Sequence, residues 1–148
     1  MPQQMLMRDV VRDRSSDALY TVPASATVGE AVDLMAERHI GAVLVMNDDG
    51  LVAGIFTERD LLMRVVEPRF DPRKTPISLV MTRDVRFVTP DTTVEAGLAL
   101  MHMQRHRHLL VIDGPTVHGL VSMRDLVVHI VRLVPQLTAG EPSARSKP

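Results

Sequence analysis

The chain has 148 residues, 45% hydrophobic and 24% charged, with 17 basic against 18 acidic side chains and no cysteine. Folding a chain of that length removes roughly 70% of its extended surface from water, so one compact domain or two half-size lobes can hold an apolar core, and wholesale disorder is excluded. Disulfides, thiolate zinc clusters and a cysteine nucleophile are excluded too, and a formal charge of -1 offers no general pull on nucleic acid.

In chain order, Met1 to Arg14 carries Arg8, Asp9, Arg12, Asp13 and Arg14 where a signal peptide needs an apolar run. Val28, Ala31, Val32 and Met35 recur at helical spacing behind a Ser/Thr cluster able to cap, predicting an amphipathic helix over about 28–39. Apolar runs at 43–46 and 51–56 flank Asn47, Asp48, Asp49 and Gly50, the pattern of two strands joined by a tight turn. A closing helix is predicted from Thr57 to about Val66. Pro68, Pro72 and Pro76 then mark 67–76 as a linker, because proline at that density continues neither a helix nor a central strand.

Val94, Leu98, Met101 and Arg105 begin the same series again, with Asp113, Gly114 and Pro115 as the turn and a last helix from Ser122 to about Leu133, before Pro135. The tail 135–148 lacks apolar anchors and is expected to be disordered. The longest apolar stretch, Ile40 to Met46, is far short of the 18 or so residues of a membrane span. A cytoplasmic protein is therefore expected. Aromatics are few (Tyr20, Phe56, Phe70 and Phe87), which disfavours a base-stacking platform, and ten methionines supply adaptable packing instead.

These elements form an internal repeat. At a shift of 66, Val28 falls on Val94, Leu34 on Leu100, Met35 on Met101, Leu44 on Leu110 and Val45 on Val111. At a shift of 65, Val52 falls on Val117, Gly54 on Gly119, Arg59 on Arg124, Asp60 on Asp125, Leu61 on Leu126 and Val66 on Val131. The expected organisation is a first repeat over 1–66, the linker, and a second repeat over 77–134.

The sharpest local signal is Gly54-Ile55-Phe56-Thr57-Glu58-Arg59-Asp60, echoed by Gly119-Leu120-Val121-Ser122-Met123-Arg124-Asp125. A hydroxyl at a strand end, with a carboxylate three residues on, sits at a helix amino terminus. Free amides and the helix dipole favour an anion there. An acceptor-only carboxylate can grip two vicinal sugar hydroxyls, and glycine lets a flat ring approach the backbone. The same residues also spell a capping box, with Thr57 and Ser122 as caps and the acid returning a bond to the cap amide. Both readings stand on the sequence, with a lean towards a ligand because the box prefers the longer Glu or Gln.

The doubled unit ending in Gly, two apolar residues, Thr or Ser, two residues and Asp resembles a pair of cystathionine-beta-synthase (CBS) domains, a Bateman module, over roughly residues 5 to 134. The resemblance implies an α/β fold of two small three-stranded sheets with flanking helices around a pseudo-twofold axis. It implies clefts that take AMP, ADP, ATP, NAD(H) or S-adenosylmethionine, and a homodimer with apolar helix faces at its contact. By position, Asp60 and Asp125 would bind ribose, Thr57 and Ser122 would face phosphate or ribose, and Ile55, Phe56, Leu120 and Val121 would line the adenine slot. Ile40, Gly41 and Ala42 in the first copy, and His106, Arg107 and His108 in the second, would add contacts, with Arg59 and Arg124 adding charge. Leu44 and Leu110 replace the proline often found before the valine of the first hairpin strand. The first copy has Gly41 and Ala42 where the second has Arg107 and His108, so the two sites should be unequal and phosphate should be held mainly by the second repeat.

His102, His106, His108, His118 and His129 invite a metal reading, yet no carboxylate stands at a recognised ligand spacing. No nucleophile elbow, Walker loop or dinucleotide fingerprint is present. The expectation is a non-enzymatic regulatory module that senses an adenosine-containing ligand and relays occupancy to a partner protein. The alternatives are an interaction module with vestigial clefts and a histidine-based metal enzyme.

Overall fold

The computed structural model describes residues 4–13 and 19–133; the expected disordered tail, 135–148, lies outside the described residues. The chain forms two compact units, Leu19–Val85 and Met1–Ala18 with Arg86–Pro148. Each contains one three-stranded sheet.

In the first unit, β1 (Thr21–Pro23) runs parallel to β2 (Ala42–Met46), which pairs antiparallel with β3 (Val52–Thr57). Between β1 and β2 lies α2 (Val28–Arg38). Its start is a full capping box. The Thr27 hydroxyl accepts from the Glu30 amide at 3.2 Å and the Glu30 carboxylate accepts from the Thr27 amide at 3.3 Å. The helix stops where His39 turns left-handed. Val28, Ala31 and Met35 pack on Val22, Val43, Val45 and Phe56, the core of this unit. The turn between β2 and β3 closes at Gly50, whose φ of 83° suits glycine. The closing helix begins as α3 (Glu58–Asp60) but continues over Leu61–Val66 in the wider π winding.

The second unit repeats the plan with β4 (Phe87–Val88), α4 (Val94–Gln104), β5 (His108–Asp113), β6 (Thr116–Ser122) and α5 (Met123–Leu133). Val88, Val94, Met101, Leu109, Val111, Val121 and Leu126 form its core; the first six match Val22, Val28, Met35, Val43, Val45 and Phe56, whereas on the closing helix Leu126 is buried here and Val65 in the first unit.

The compact units do not follow the repeat boundaries 1–66 and 77–134. Each core is completed by the stretch that precedes the other repeat. In the first unit, the Ile77 amide donates to the Ala26 carbonyl at 2.9 Å and the Val28 amide to the Thr75 carbonyl at 2.9 Å. In the second, the Met7 amide of α1 (Met7–Asp13) donates to the Thr92 carbonyl and the Val94 amide to the Met5 carbonyl, both at 2.8 Å. Ile77 and Val80 enter the first core, and Met7 and Val10 the second. The physical cause is that the start of α2 or α4 leaves amides and apolar side chains that its own repeat cannot cover.

The stretch 67–76 is likewise pinned. Pro72 accepts from the Gly29 amide at 2.9 Å, and Arg73 forms a bidentate pair with Asp33 at 2.7 and 3.0 Å. A Cβ on Gly29 would stand 2.7 Å from Arg73 Cδ, so glycine permits that approach. Among the described residues no helix is long and apolar enough to cross a membrane.

Candidate functional site

Directly opposed residues of an antiparallel pair share a face. Val43 lies opposite Phe56 and Leu109 opposite Val121, all facing the cores. The other face carries Ala42 opposite Thr57 and Leu44 opposite Ile55 in the first unit, with His108 opposite Ser122 and Leu110 opposite Leu120 in the second. This divides the expected adenine slot. Ile55 and Leu120 share a face with the hydroxyls, whereas Phe56 and Val121 are fully buried core residues and do not line a slot. The reason is the two-residue period of a strand, which sends neighbours to opposite faces.

The two acids fold back onto their helix starts. In the first unit the Thr57 amide donates to Asp60 Oδ2 at 3.0 Å, the Thr57 hydroxyl donates to the same oxygen at 3.2 Å, and the Asp60 amide donates to Thr57 Oγ1 at 3.2 Å. In the second, the Ser122 amide donates to Asp125 Oδ2 at 2.8 Å and the Asp125 amide to Ser122 Oγ at 3.0 Å. The capping box is therefore present in both copies. The first helical amide is satisfied as well, since Glu58 donates to the Gly41 carbonyl at 3.0 Å and Met123 to the Arg107 carbonyl at 2.8 Å. The free amides expected for an anion are thus already in use at the cap and the first and third helical positions. A short Asp completes the box because its carboxylate reaches the cap amide directly.

Asp60 has further partners that local sequence did not reveal. Thr82 donates its hydroxyl to Asp60 Oδ1 at 2.9 Å, and Arg64 Nε stands 3.7 Å from that oxygen while Arg64 NH1 donates to the Met81 carbonyl at 3.0 Å. Asp60 is only 6% exposed, whereas Asp125 is half-buried. Thr82 is held by reciprocal backbone bonds with Ile55, both 2.8 Å. A Cβ on Gly54 would meet the Thr82 carbonyl at 2.7 Å and Met81 Sδ at 2.9 Å. What Gly54 admits is therefore the Met81–Thr82 segment rather than a ligand ring. The sequence signal for it was Ile77-x-x-Val80, which repeats Met7-x-x-Val10.

Of the residues before the hairpin strands, Ile40 packs against the first core, Gly41 and Arg107 cap with their carbonyls, and Ala42 is buried. His106 and His108 are half-buried and Arg107 exposed, and His108 stands opposite Ser122 in the hairpin. Arg59 and Arg124 are exposed. Among the described residues no three His, Asp or Glu side chains converge on a metal position. A cleft of about 390 Å³ beside α1 in the second unit holds Arg8, Arg12, Asp91, Asp113 and His118 and none of the expected site residues.

The profile of the CBS domain matches residues 7–67 and again 77–132. The chain is 36% identical over 116 residues to the CBS domain-containing protein CBSCBSPB1 of Arabidopsis thaliana, a match that covers 78% of this chain but only 21% of that protein's length. A solved protein with CBS domains from Burkholderia ambifaria MC40-6 is 36% identical with a TM-score of 0.83, covering 87% of this chain and 96% of that one. The hexameric CBS-CP12 protein of bloom-forming cyanobacteria is 27% identical with a TM-score of 0.76, over 86% of this chain and 73% of that one. With two sheets, two capped Thr/Ser-x-x-Asp turns and two matches in tandem, the chain belongs to the CBS domain family and carries a CBS pair.

Proposed function

We propose that this chain is a regulatory module that takes an adenosine-containing ligand such as AMP, ADP, ATP or NAD(H), chiefly at its second repeat, and relays occupancy to a partner protein. CBS pairs are generally regulatory or interaction modules and commonly bind adenosine ligands. The observation that carries the reading is His108 opposite Ser122 on the sheet face opposite to that of Leu109 and Val121, with the buried Leu110 opposite Leu120 beside them. Arg107, His106 and His108 supply cationic or hydrogen-bonding groups for phosphate. Asp125 is the acceptor for ribose, Leu120 the apolar floor for the base, and Arg124 an outer charge. The first repeat offers Ile40, Gly41 and Ala42 at the corresponding place, with no cation among them.

Relay requires the ligand to bind one conformation better than another, because equal affinity for both shifts nothing. The exposed apolar residues Leu62, Met63 and Val66 on one closing helix, and Val127 on the other, suit a homodimer contact. The hexameric cyanobacterial relative supports self-association. A second reading, an interaction module with an unfilled first site, is favoured by the engaged carboxylate of Asp60.

Thermal unfolding with AMP, ADP, ATP, NADH and S-adenosylmethionine tests the reading. A ligand at a hundredfold excess over its Kd adds about 2.7 kcal/mol. Arg107→Ala with His108→Ala should remove the shift for phosphate-bearing ligands while leaving that for adenosine. No shift with any nucleotide leaves the interaction module.

A further inference from the structure

We infer that Thr82 is an internal ligand of the first repeat's acid, a hydroxyl latch that must let go before a sugar can be gripped there; this rests on the adenosine reading above. An ionised carboxylate has about four acceptor positions. Three donors already fill Asp60: the Thr57 amide at 3.0 Å, the Thr57 hydroxyl at 3.2 Å and the Thr82 hydroxyl at 2.9 Å. One position remains, too few for the two hydroxyls of a ribose. Two of the three donors belong to the cap itself. Thr82 comes from 22 residues away and presents the same chemistry that a sugar hydroxyl would present.

Its placement is built rather than incidental. The reciprocal backbone bonds between Thr82 and Ile55 fix the segment along the edge of β3, Gly54 leaves the room, and Arg64 ties the Met81 carbonyl to the neighbourhood of Asp60. In the second unit the corresponding stretch stays helical as α1 through Asp13. Arg12 stands there in place of a hydroxyl residue, with its guanidinium 2.9 Å from Asp13 and 3.1 Å from Asp9. The latch sets the ligand level at which the first repeat fills.

The test is calorimetry with AMP on the full chain, comparing the wild type with Thr82→Val, which keeps shape and loses the hydroxyl, and Thr82→Ser, which keeps the hydroxyl. The wild type should bind one AMP. Thr82→Val should gain a second binding event, or tighten the weaker one at least tenfold, and Thr82→Ser should match the wild type. Adding Asp60→Asn to Thr82→Val should abolish the gained event, which assigns it to the first repeat. Without ligand, Thr82→Val should melt earlier, because a buried acceptor has lost a donor, and AMP should restore the loss. Unchanged stoichiometry and affinity in Thr82→Val overturns the latch while the single wild-type event upholds the adenosine reading. Weakened binding in Thr82→Val also overturns it and makes Thr82 a ligand contact. Binding in Thr82→Val alone upholds the latch and refutes the site at the second repeat. No AMP bound by any variant overturns both.

Discussion

Met7 and Ile77 occupy the same place in the two units. Each is fully buried, and each donates its amide to the carbonyl two residues before the first residue of a long helix: Thr92 before α4 for Met7 and Ala26 before α2 for Ile77. The stretch ahead of each repeat thus completes the core of the other. Cutting the chain at the repeat boundary therefore strips both cores of their lids.

Replacing either residue with alanine should cost about 2–5 kcal/mol, the usual range for emptying a fully buried Met or Ile site. Urea unfolding followed by local probes should show Ile77→Ala lowering the midpoint of the first unit and Met7→Ala that of the second. Equal effects on both units from either change would contradict the separate cores.

Gly54→Ala should destabilise through crowding. The new methyl would stand 2.7 Å from the Thr82 carbonyl, which is backbone and cannot step aside. A cost of about 1–3 kcal/mol is expected for such overpacking. Gly50→Ala has open space around it and meets only the left-handed φ of 83°, for about 1–2 kcal/mol. Pairing Gly54→Ala with a Met81→Ala change should recover little, since the carbonyl clash remains.

Asp60→Ala should not be neutral to the fold. It removes a cap bond and leaves the Thr57 amide and the Thr82 hydroxyl without their acceptor, a loss of about 1–3 kcal/mol. Asp125→Ala, at a half-buried site, should cost less. Denaturant midpoints of the two single variants check the order, and the reverse order would show that burial of the first acid matters less than its hydrogen bonds suggest.

The Asp33 carboxyl is held below its ordinary value by hydrogen bonds from Arg73 and by the charge of that guanidinium. A depressed carboxylate contributes stability above its unfolded value, near 4, and loses it as the pH falls through the lower folded value. Asp33→Asn should therefore unfold slightly more easily than the wild type at pH 7, and the gap should close in strong acid. Both side chains are exposed, so the effect is small and should shrink in high salt.

Much of this protein was written in local pattern. The repeat, the helix 28–38, both hairpins and the last helix follow from periods of 3.6 and 2, because burial of one face demands them whatever lies opposite. The capping box was legible as one of two readings of the Thr57 to Asp60 motif. Phe56 and Val121 belong to the cores because the hairpin register sets them opposite Val43 and Leu109, and the period of one strand does not by itself fix that pairing. Tertiary structure alone decided which segment closes each core, since Met7 and Ile77 find their carbonyl partners 85 and 51 residues away. It also decided that Asp60 would meet Thr82, because a carboxylate's partners depend on which chain segment the sheet edge brings alongside, and no spacing along the sequence encodes that approach.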